Sequence, residues 1–337
     1  MSVATELEIW LGAAVAPLIF VIFSPVLLPL WLLYSAWFIW QQFLKVKWLL
    51  TKDKVVYVTG CDSGFGLECA LDLHNRGCTV FAGCLNLESD GAQMLAARQC
   101  DSLKVLKLDV TNAADVEKCL WGLYNNAGIA LAGEIEWVPV EDFERSIAVN
   151  TIGTLRVTKS VLPLIRHAKG RIVTITSGLA RHSLFGRAGY SVPKQALESM
   201  MQTLRYEMQT LWCESAVIEP GNFTQATKVF ETLANYLDKL QTRIPDGALD
   251  DYGDDYVQKW RNMITAYKGR AQGAATRPVV QAVAHAMLAE TPRIRYHPSQ
   301  WSFVLWWVVE DLLPSELCDL LHRYWNRNQP KPKCLSG

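Results

Sequence analysis

The chain has 337 residues, half of them apolar, with 33 Lys and Arg against 33 Asp and Glu. Zero net charge leaves no electrostatic footprint for nucleic acid, and that class of partner drops out. Nine cysteines at irregular spacing, with no Cys-x-x-Cys and no His-Glu-x-x-His, argue against a disulfide framework or a zinc site, so free thiols and no catalytic metal are expected.

The first expected element is a membrane segment. No charged residue occurs from Ile9 to Leu44. A helix of that length extends about 50 Å at about 1.5 Å per residue, against about 30 Å for bilayer hydrocarbon. One long tilted span satisfies the pattern, and so does a pair of spans broken near Ser24, Pro25 and Pro29. Trp10, Trp31, Trp37 and Trp40 recur as an interfacial belt would. Glu6 and Glu8 precede the run, while Lys45, Lys47, Lys52 and Lys54 follow it, so the positive-inside rule places the following domain in the cytosol. The expected organisation is an anchor at 1–50, a catalytic domain at 51–300 with a lid near 222–270, and an aromatic segment and tail at 301–337.

Beyond Lys54, short apolar runs alternate with helical stretches. That is the pattern of an α/β fold, a doubly wound parallel sheet covered on both faces. Strands are expected at 55–59, 79–83, 105–108, 122–125, 171–176, 216–219 and 294–296. Helices are expected at 67–76, 140–167, 190–211 and 278–290.

Thr59-Gly60-Cys61-Asp62-Ser63-Gly64-Phe65-Gly66 lies between the first strand and the first helix. Glycines there let the backbone approach a pyrophosphate, and the helix N-terminus supplies N–H groups and a positive dipole. Gly60, Ser63, Gly64, Phe65 and Gly66 are therefore cofactor-binding candidates. An NADP site needs cations for its extra phosphate. Neither this loop nor Ala82-Gly83-Cys84-Leu85-Asn86 after the second strand has Arg or Lys, which favours NAD. Asp109 and Val110, after the third strand, are placed to reach the adenine; the bland alternative is a helix cap, since Thr111 and Asn112 follow.

Tyr190 and Lys194 are four apart at a helix start, so they share a face. A free phenol titrates near pH 10, and a neighbouring ammonium favours the phenolate. Ser177, at a strand end thirteen residues earlier, can polarise a substrate oxygen while Tyr190 exchanges the alcohol proton.

With Asn125-Asn126-Ala127-Gly128, Asn150 and Pro220-Gly221 in the same order, the chain resembles the short-chain dehydrogenase/reductase family over residues 54 to about 300. Gly60 to Gly66, Phe81 to Leu85, Leu204 to Met208 and Glu219 to Phe223 are similar to one branch, that of retinol, D-β-hydroxybutyrate and 17β-hydroxysteroid dehydrogenases. The resemblance implies a single Rossmann-type domain and an Asn150-Ser177-Tyr190-Lys194 tetrad. It also implies cofactor contacts from Asn126, Ala127, Gly128, Tyr190, Lys194, Pro220, Gly221 and Thr224. A homodimer is the implied assembly, although the crossover helix that usually contributes to its surface is shortened here. Only ten residues, Thr111 to Leu120, join the third and fourth strands, near the usual lower limit of about 10–12 for such a crossover. Tyr124 also stands where relatives carry a small aliphatic residue.

An apolar anchor suits a lipophilic substrate, so the expected activity is hydride transfer between NAD and a steroid or retinoid alcohol or ketone at the endoplasmic reticulum membrane. The alternatives are a 3-hydroxybutyrate-type dehydrogenase and a non-catalytic cofactor-binding scaffold. Trp301, Phe303, Trp306 and Trp307 mark a stretch too short to span, which either rests on a bilayer or belongs to the core.

Overall fold

The computed structural model describes residues 46–337, apart from 99, 113–119, 224–226, 254, 269–274, 300, 328–331 and 336–337, together with a few positions between 25 and 36. It divides the chain into two units, residues 1–47 and 48–337. The expected membrane segment lies almost wholly outside the described residues, and no helix among those described is long and apolar enough to cross a membrane. Most of the short crossover, residues 113–119, also lies outside them.

In the second unit, β1 Val55–Thr59, β2 Thr79–Cys84, β3 Leu103–Lys107, β4 Gly122–Asn125, β5 Arg171–Ile175, β6 Glu214–Ile218 and β7 Arg295–Tyr296 form one sheet in the order β3-β2-β1-β4-β5-β6-β7. Every neighbouring pair is parallel. The order reverses between β1 and β4, which opens a crevice at the carboxyl ends of those strands.

The helices are α1 Gly64–Asn75, α2 Asp90–Ala96, α3 Val140–Ile147, α4 Thr154–His167, α5 Ala188–Gln209, α6 Val229–Gln241, α7 Asp246–Tyr252, α8 Tyr256–Lys268, α9 Arg277–Leu288, α10 Trp301–Leu312 and α11 Ser315–Asn326. Successive strand residues point to opposite faces, and both faces are apolar. Val56 and Val58 join Ala70, Leu73, Val283 and Met287 in one core beneath α1 and α9. Tyr57 joins Val157, Val161, Leu197 and Met201 in the other, beneath α4 and α5.

The expected helix over 140–167 is interrupted. A π-helical turn, Ala148–Gly153, separates α3 from α4 and carries Asn150. Pro193 lies in the second turn of α5, which begins at Ala188. The stretch expected as a lid folds as α6, α7 and α8, packed on a core of Trp137, Leu237, Leu240, Tyr256 and Trp260.

Three helix-to-strand turns share one geometry. Cys78, Gly170 and Cys213 donate N–H bonds to carbonyls five residues back, on Leu73, Ile165 and Met208. The residue before each donor is left-handed: Gly77 at φ 94, Lys169 at φ 46 and Trp212 at φ 56. Glycine takes that conformation without strain, whereas an L side chain there costs about 1–2 kcal/mol.

Candidate active site

The glycine loop is built by close approach. Gly60 has φ 70, and a Cβ on it would lie 2.8 Å from the Ala127 Cα. A Cβ on Gly66 would lie 2.1 Å from the Gly60 carbonyl oxygen. Asn126 locks this arrangement: its Nδ2 donates to the carbonyls of Thr59 and Gly60 at 3.0 and 3.1 Å. The Thr59 hydroxyl accepts the N–H groups of Asn126 and Ala127. Ser63 precedes α1 in extended conformation, makes no side-chain cap, and no acid lies in the first turn. Among the described residues the leading N–H groups of α1 thus have no side-chain cap from Ser63 and no acid in the first turn, as a pyrophosphate site requires. Phe65 packs edge-on against Phe223 at 5.5 Å.

Asp62 reaches the tip of β2. Its carboxylate accepts the N–H groups of Leu85 and Asn86 at 2.9 and 2.8 Å. A fixed negative charge therefore stands beside the strand end where the extra phosphate of NADP would need cations. Asp109 turns back on its own chain, accepting from the N–H and hydroxyl of Thr111 at 2.9 and 2.7 Å. Those bonds hold its pKa below the usual carboxylate value. Val110 is buried, and a Cβ on Gly153 would lie 2.7 Å from its Cγ2.

The four tetrad residues come from the turn after β5, the π-helical turn and α5, and they converge. Ser177 lies two residues beyond β5 and hydrogen-bonds the half-buried Tyr190 through its side chain. Burial raises the Tyr190 pKa, while the Ser177 bond and the Arg187 charge pull it down. Lys194 Nζ lies 5.8 Å from the Tyr190 ring centroid and donates to the Ile175 carbonyl at 3.1 Å. Burial lowers the Lys194 pKa to about 8. The downward pull on the Tyr190 phenol comes first from Ser177 and then from Arg187.

Asn150 is fully buried. Its Oδ1 accepts from the Ile129 N–H and its Nδ2 donates to the Ile129 carbonyl, each at 2.9 Å. A Cβ on Gly128 would lie 2.7 Å from Asn150 Oδ1 and 3.7 Å from Lys194 Nζ, so only glycine lets these groups meet.

Pro220 and Gly221 adjoin Ser177, since the Gly178 N–H donates to the Pro220 carbonyl at 3.2 Å. Thr224 lies outside the described residues. Asn125 serves the fold, donating to Thr158 and Thr174 at 3.0 and 3.3 Å.

Sequence reasoning missed a buried knot behind this loop. Glu219, fully buried, meets Arg181 at 3.1 Å, His297 at 2.7 Å and Arg295. Arg295 also pairs with Glu198. Burial, with Arg181 and Arg295, lowers the His297 pKa to about 4. On α10, Glu310 meets His182 and His322 at 2.8 and 2.6 Å. Trp307 is buried against Gly178, where a Cβ would lie 2.2 Å from its ring. At Trp307, therefore, the aromatic C-terminal stretch packs against the loop that carries Ser177.

Residues 54–235 match the family model described as short chain dehydrogenase. Over 292 residues the chain is 38% identical to D-beta-hydroxybutyrate dehydrogenase, mitochondrial, of Bos taurus, covering 80% of this chain and 84% of that protein. It is 35% identical to the 17-beta-hydroxysteroid dehydrogenase type 6 of Bos taurus, covering 83% and 90%. It is 33% identical to retinol dehydrogenase 7 of Mus musculus, again covering 83% and 90%. A solved short-chain dehydrogenase from Streptomyces avermitilis shares the fold with TM-score 0.58 at 21% identity, covering 82% of this chain and 99% of that one. The parallel sheet, the glycine loop and these matches agree: the chain is a nicotinamide-dependent oxidoreductase acting on CH–OH groups and belongs to the short-chain dehydrogenase family.

Proposed function

We propose that this enzyme oxidises or reduces a lipophilic secondary or allylic alcohol, of steroid or retinoid type, with NAD. The observation that carries the reading is the convergence of Asn150, Ser177, Tyr190 and Lys194 at the carboxyl ends of β4 and β5, beside the glycine loop. The bound nicotinamide supplies the hydride acceptor or donor. Tyr190 takes the proton from the alcohol oxygen, or returns it in the reverse direction, while the Ser177 hydroxyl holds that oxygen by a hydrogen bond. Lys194 orients the ribose and lends positive charge near the phenol. Asn150 engages both backbone groups of Ile129 and so fixes the stretch after Gly128 beside Lys194. Asp62 favours NAD by meeting any extra phosphate with like charge.

Apolar groups around the reacting residues support a lipophilic substrate. Leu131 lies 3.1 Å from a Cβ built on Gly189, Trp307 covers Gly178, and Phe185 packs on Trp260 at 5.8 Å. We assign α6 to α8 as the lid over this space, and residues 9–44 as a membrane anchor that leaves the domain in the cytosol. One observation favours a second reading. The Arg187 charge is felt at Tyr190, and a guanidinium there would hold the carboxylate of a 3-hydroxy acid, the substrate type named for the hydroxybutyrate dehydrogenases above.

The test is a panel of steroids, retinol and 3-hydroxybutyrate with NAD and NADP on purified membranes. We expect turnover of a steroid or retinoid with NAD. Tyr190→Phe should lower it at least about 100-fold, the scale of general acid–base catalysis, with cofactor binding retained. Turnover confined to 3-hydroxybutyrate and abolished by Arg187→Leu would establish the second reading instead.

A further inference from the structure

The amino ends of the strands form the end of the sheet opposite the crevice, and nothing in the chemistry above uses them. Apolar side chains stand out into solvent there: Leu50 is 91% exposed, Trp212 80%, Ile294 57% and Trp48 47%. Cations surround them. Lys52, Arg98, Arg166, Lys169 and Arg293 are exposed, against Asp53, Asp101, Glu207 and Glu290 among the described residues. The neighbouring acids Asp72 and Glu214 are taken by Arg76 and Arg171, at 2.6 and 2.5 Å. Where β5, β6 and β7 begin, a cavity of about 250 Å³ opens on the same end, with Arg205, Arg293, Gln209 and Ile294 in its wall.

Packing does not account for this composition. Lys169 and Trp212 hold left-handed turn positions that glycine fills at Gly77. Strain retained at an exposed aromatic residue points to a use, because a side chain in solvent returns nothing to the fold. Aromatic and apolar side chains ringed by Lys and Arg match the boundary layer of a membrane carrying negative headgroups. The first residues of this unit also lie at this end. The Leu49 N–H donates to Leu288 O at 2.8 Å and Trp48 bridges to Ala289, four residues after the uncharged run stops at Leu44.

We propose that this face is a docking surface for a bilayer containing anionic phospholipid. Trp212, Leu50 and Ile294 enter the interfacial layer, and Arg205 and Arg293 take a headgroup phosphate at the cavity. The crevice then opens on the far side, away from the lipid. The proposal is independent of which alcohol is turned over, and it rests on the membrane reading of residues 9–44 only for bringing the chain to a bilayer.

The full chain in nanodiscs, footprinted with hydroxyl radicals and read by mass spectrometry, tests it without labels. In discs of phosphatidylcholine with phosphatidylserine, oxidation of Trp212 and Leu50 should fall severalfold relative to detergent, while Leu85 and Met94, elsewhere on the domain, stay unchanged. Phosphatidylcholine alone should protect less. Each cation near an anionic surface is worth about a fivefold change in partitioning, so Lys169→Glu with Arg293→Glu should abolish the phosphatidylserine effect. Trp212 oxidised as fast in anionic discs as in detergent overturns the proposal, and co-elution with the disc would then leave the anchor standing. Equal protection in phosphatidylcholine alone overturns the anionic partner. Protection that grows with protein concentration in detergent overturns it in favour of a second copy. Alcohol turnover on the same preparation reports separately on the enzymatic reading.

Discussion

At the scale of single residues, the most informative group is Lys194. Burial lowers its pKa from an ordinary 10.5 to about 8. The unfolded chain therefore binds more protons than the fold between those values, and stability from this group rises with pH across that window. Below pH 8 the ammonium is present in both states and its burial cost is borne in full. Lys194→Met removes that charge at similar length. We expect the variant to melt no lower than the parent at pH 7, and the difference between them to shift in the parent's favour from pH 8 toward 10.5. Calorimetry across that range checks this, and a constant difference would show that Lys194 is not desolvated as the geometry implies. Turnover should be lost at every pH, since the ammonium and its bond to Ile175 hold the site beside Tyr190. Tyr190 and Lys194 were legible in the sequence because one helical turn places both on one face. Arg187 was not, since its bearing on Tyr190 depends on how the loop after Ser177 folds back.

At the scale of elements, the strands could be read directly. Their apolar runs are short and bounded by turn residues, and each lies within two residues of its expected start. The glycine loop was legible for a related reason, as strand, turn and helix follow one another without a gap. The π-helical turn at Asn150 was not visible, because one extra residue in a turn shifts the apolar period too little to register. The left-handed turns at Lys169 and Trp212 were hidden because neither carries the glycine that normally marks them. The Glu219 knot was hidden for another reason: Arg181, Glu198, Glu219, Arg295 and His297 meet only when the turn after β5, α5 and the ends of β6 and β7 come together. This knot yields its own prediction. Glu219 directly precedes Pro220, whose carbonyl holds the Gly178 N–H. Removing one partner of a buried charge cluster costs about 3–5 kcal/mol. Glu219→Gln should lower the melting temperature and raise the KM for the nicotinamide more than it lowers kcat, because Ser177 and Tyr190 remain while the Pro220-Gly221 loop loosens. A variant with unchanged cofactor KM would confine the knot to stability alone.

At the scale of the whole domain, two closures meet over the loop from Ser177 to Tyr190. One is α10, through Trp307. The other is the proposed lid, through Trp260, which lies edge-on to Trp137 at 6.1 Å and tilted on Phe185 at 5.8 Å. Trp307 meets this loop at Gly178 and Trp260 meets it at Gly186. Gly186 has φ 63, and a Cβ there would lie 1.8 Å from the Trp260 ring. The Trp260 ring is fully buried and has no room to yield. Gly186→Ala must therefore strain the backbone and push α8 outward. Overpacking of this kind costs about 1–3 kcal/mol, with about 1–2 kcal/mol more for an L residue in the left-handed region. The cofactor loop is built from β1, α1 and Asn126 to Gly128, and the bond from this glycine to the residues after β4, Gly133 N–H to Gly186 O at 3.0 Å, falls five residues beyond that stretch. The substitution should thus raise substrate KM and hydrogen exchange in α8 while leaving cofactor affinity within about twofold, the scatter expected for a site that shares no partner with the change. If substrate KM stays fixed while α8 exchanges faster, the lid moves without bearing on substrate, and the apolar space between Trp307 and Phe185 must be closed by α10 alone.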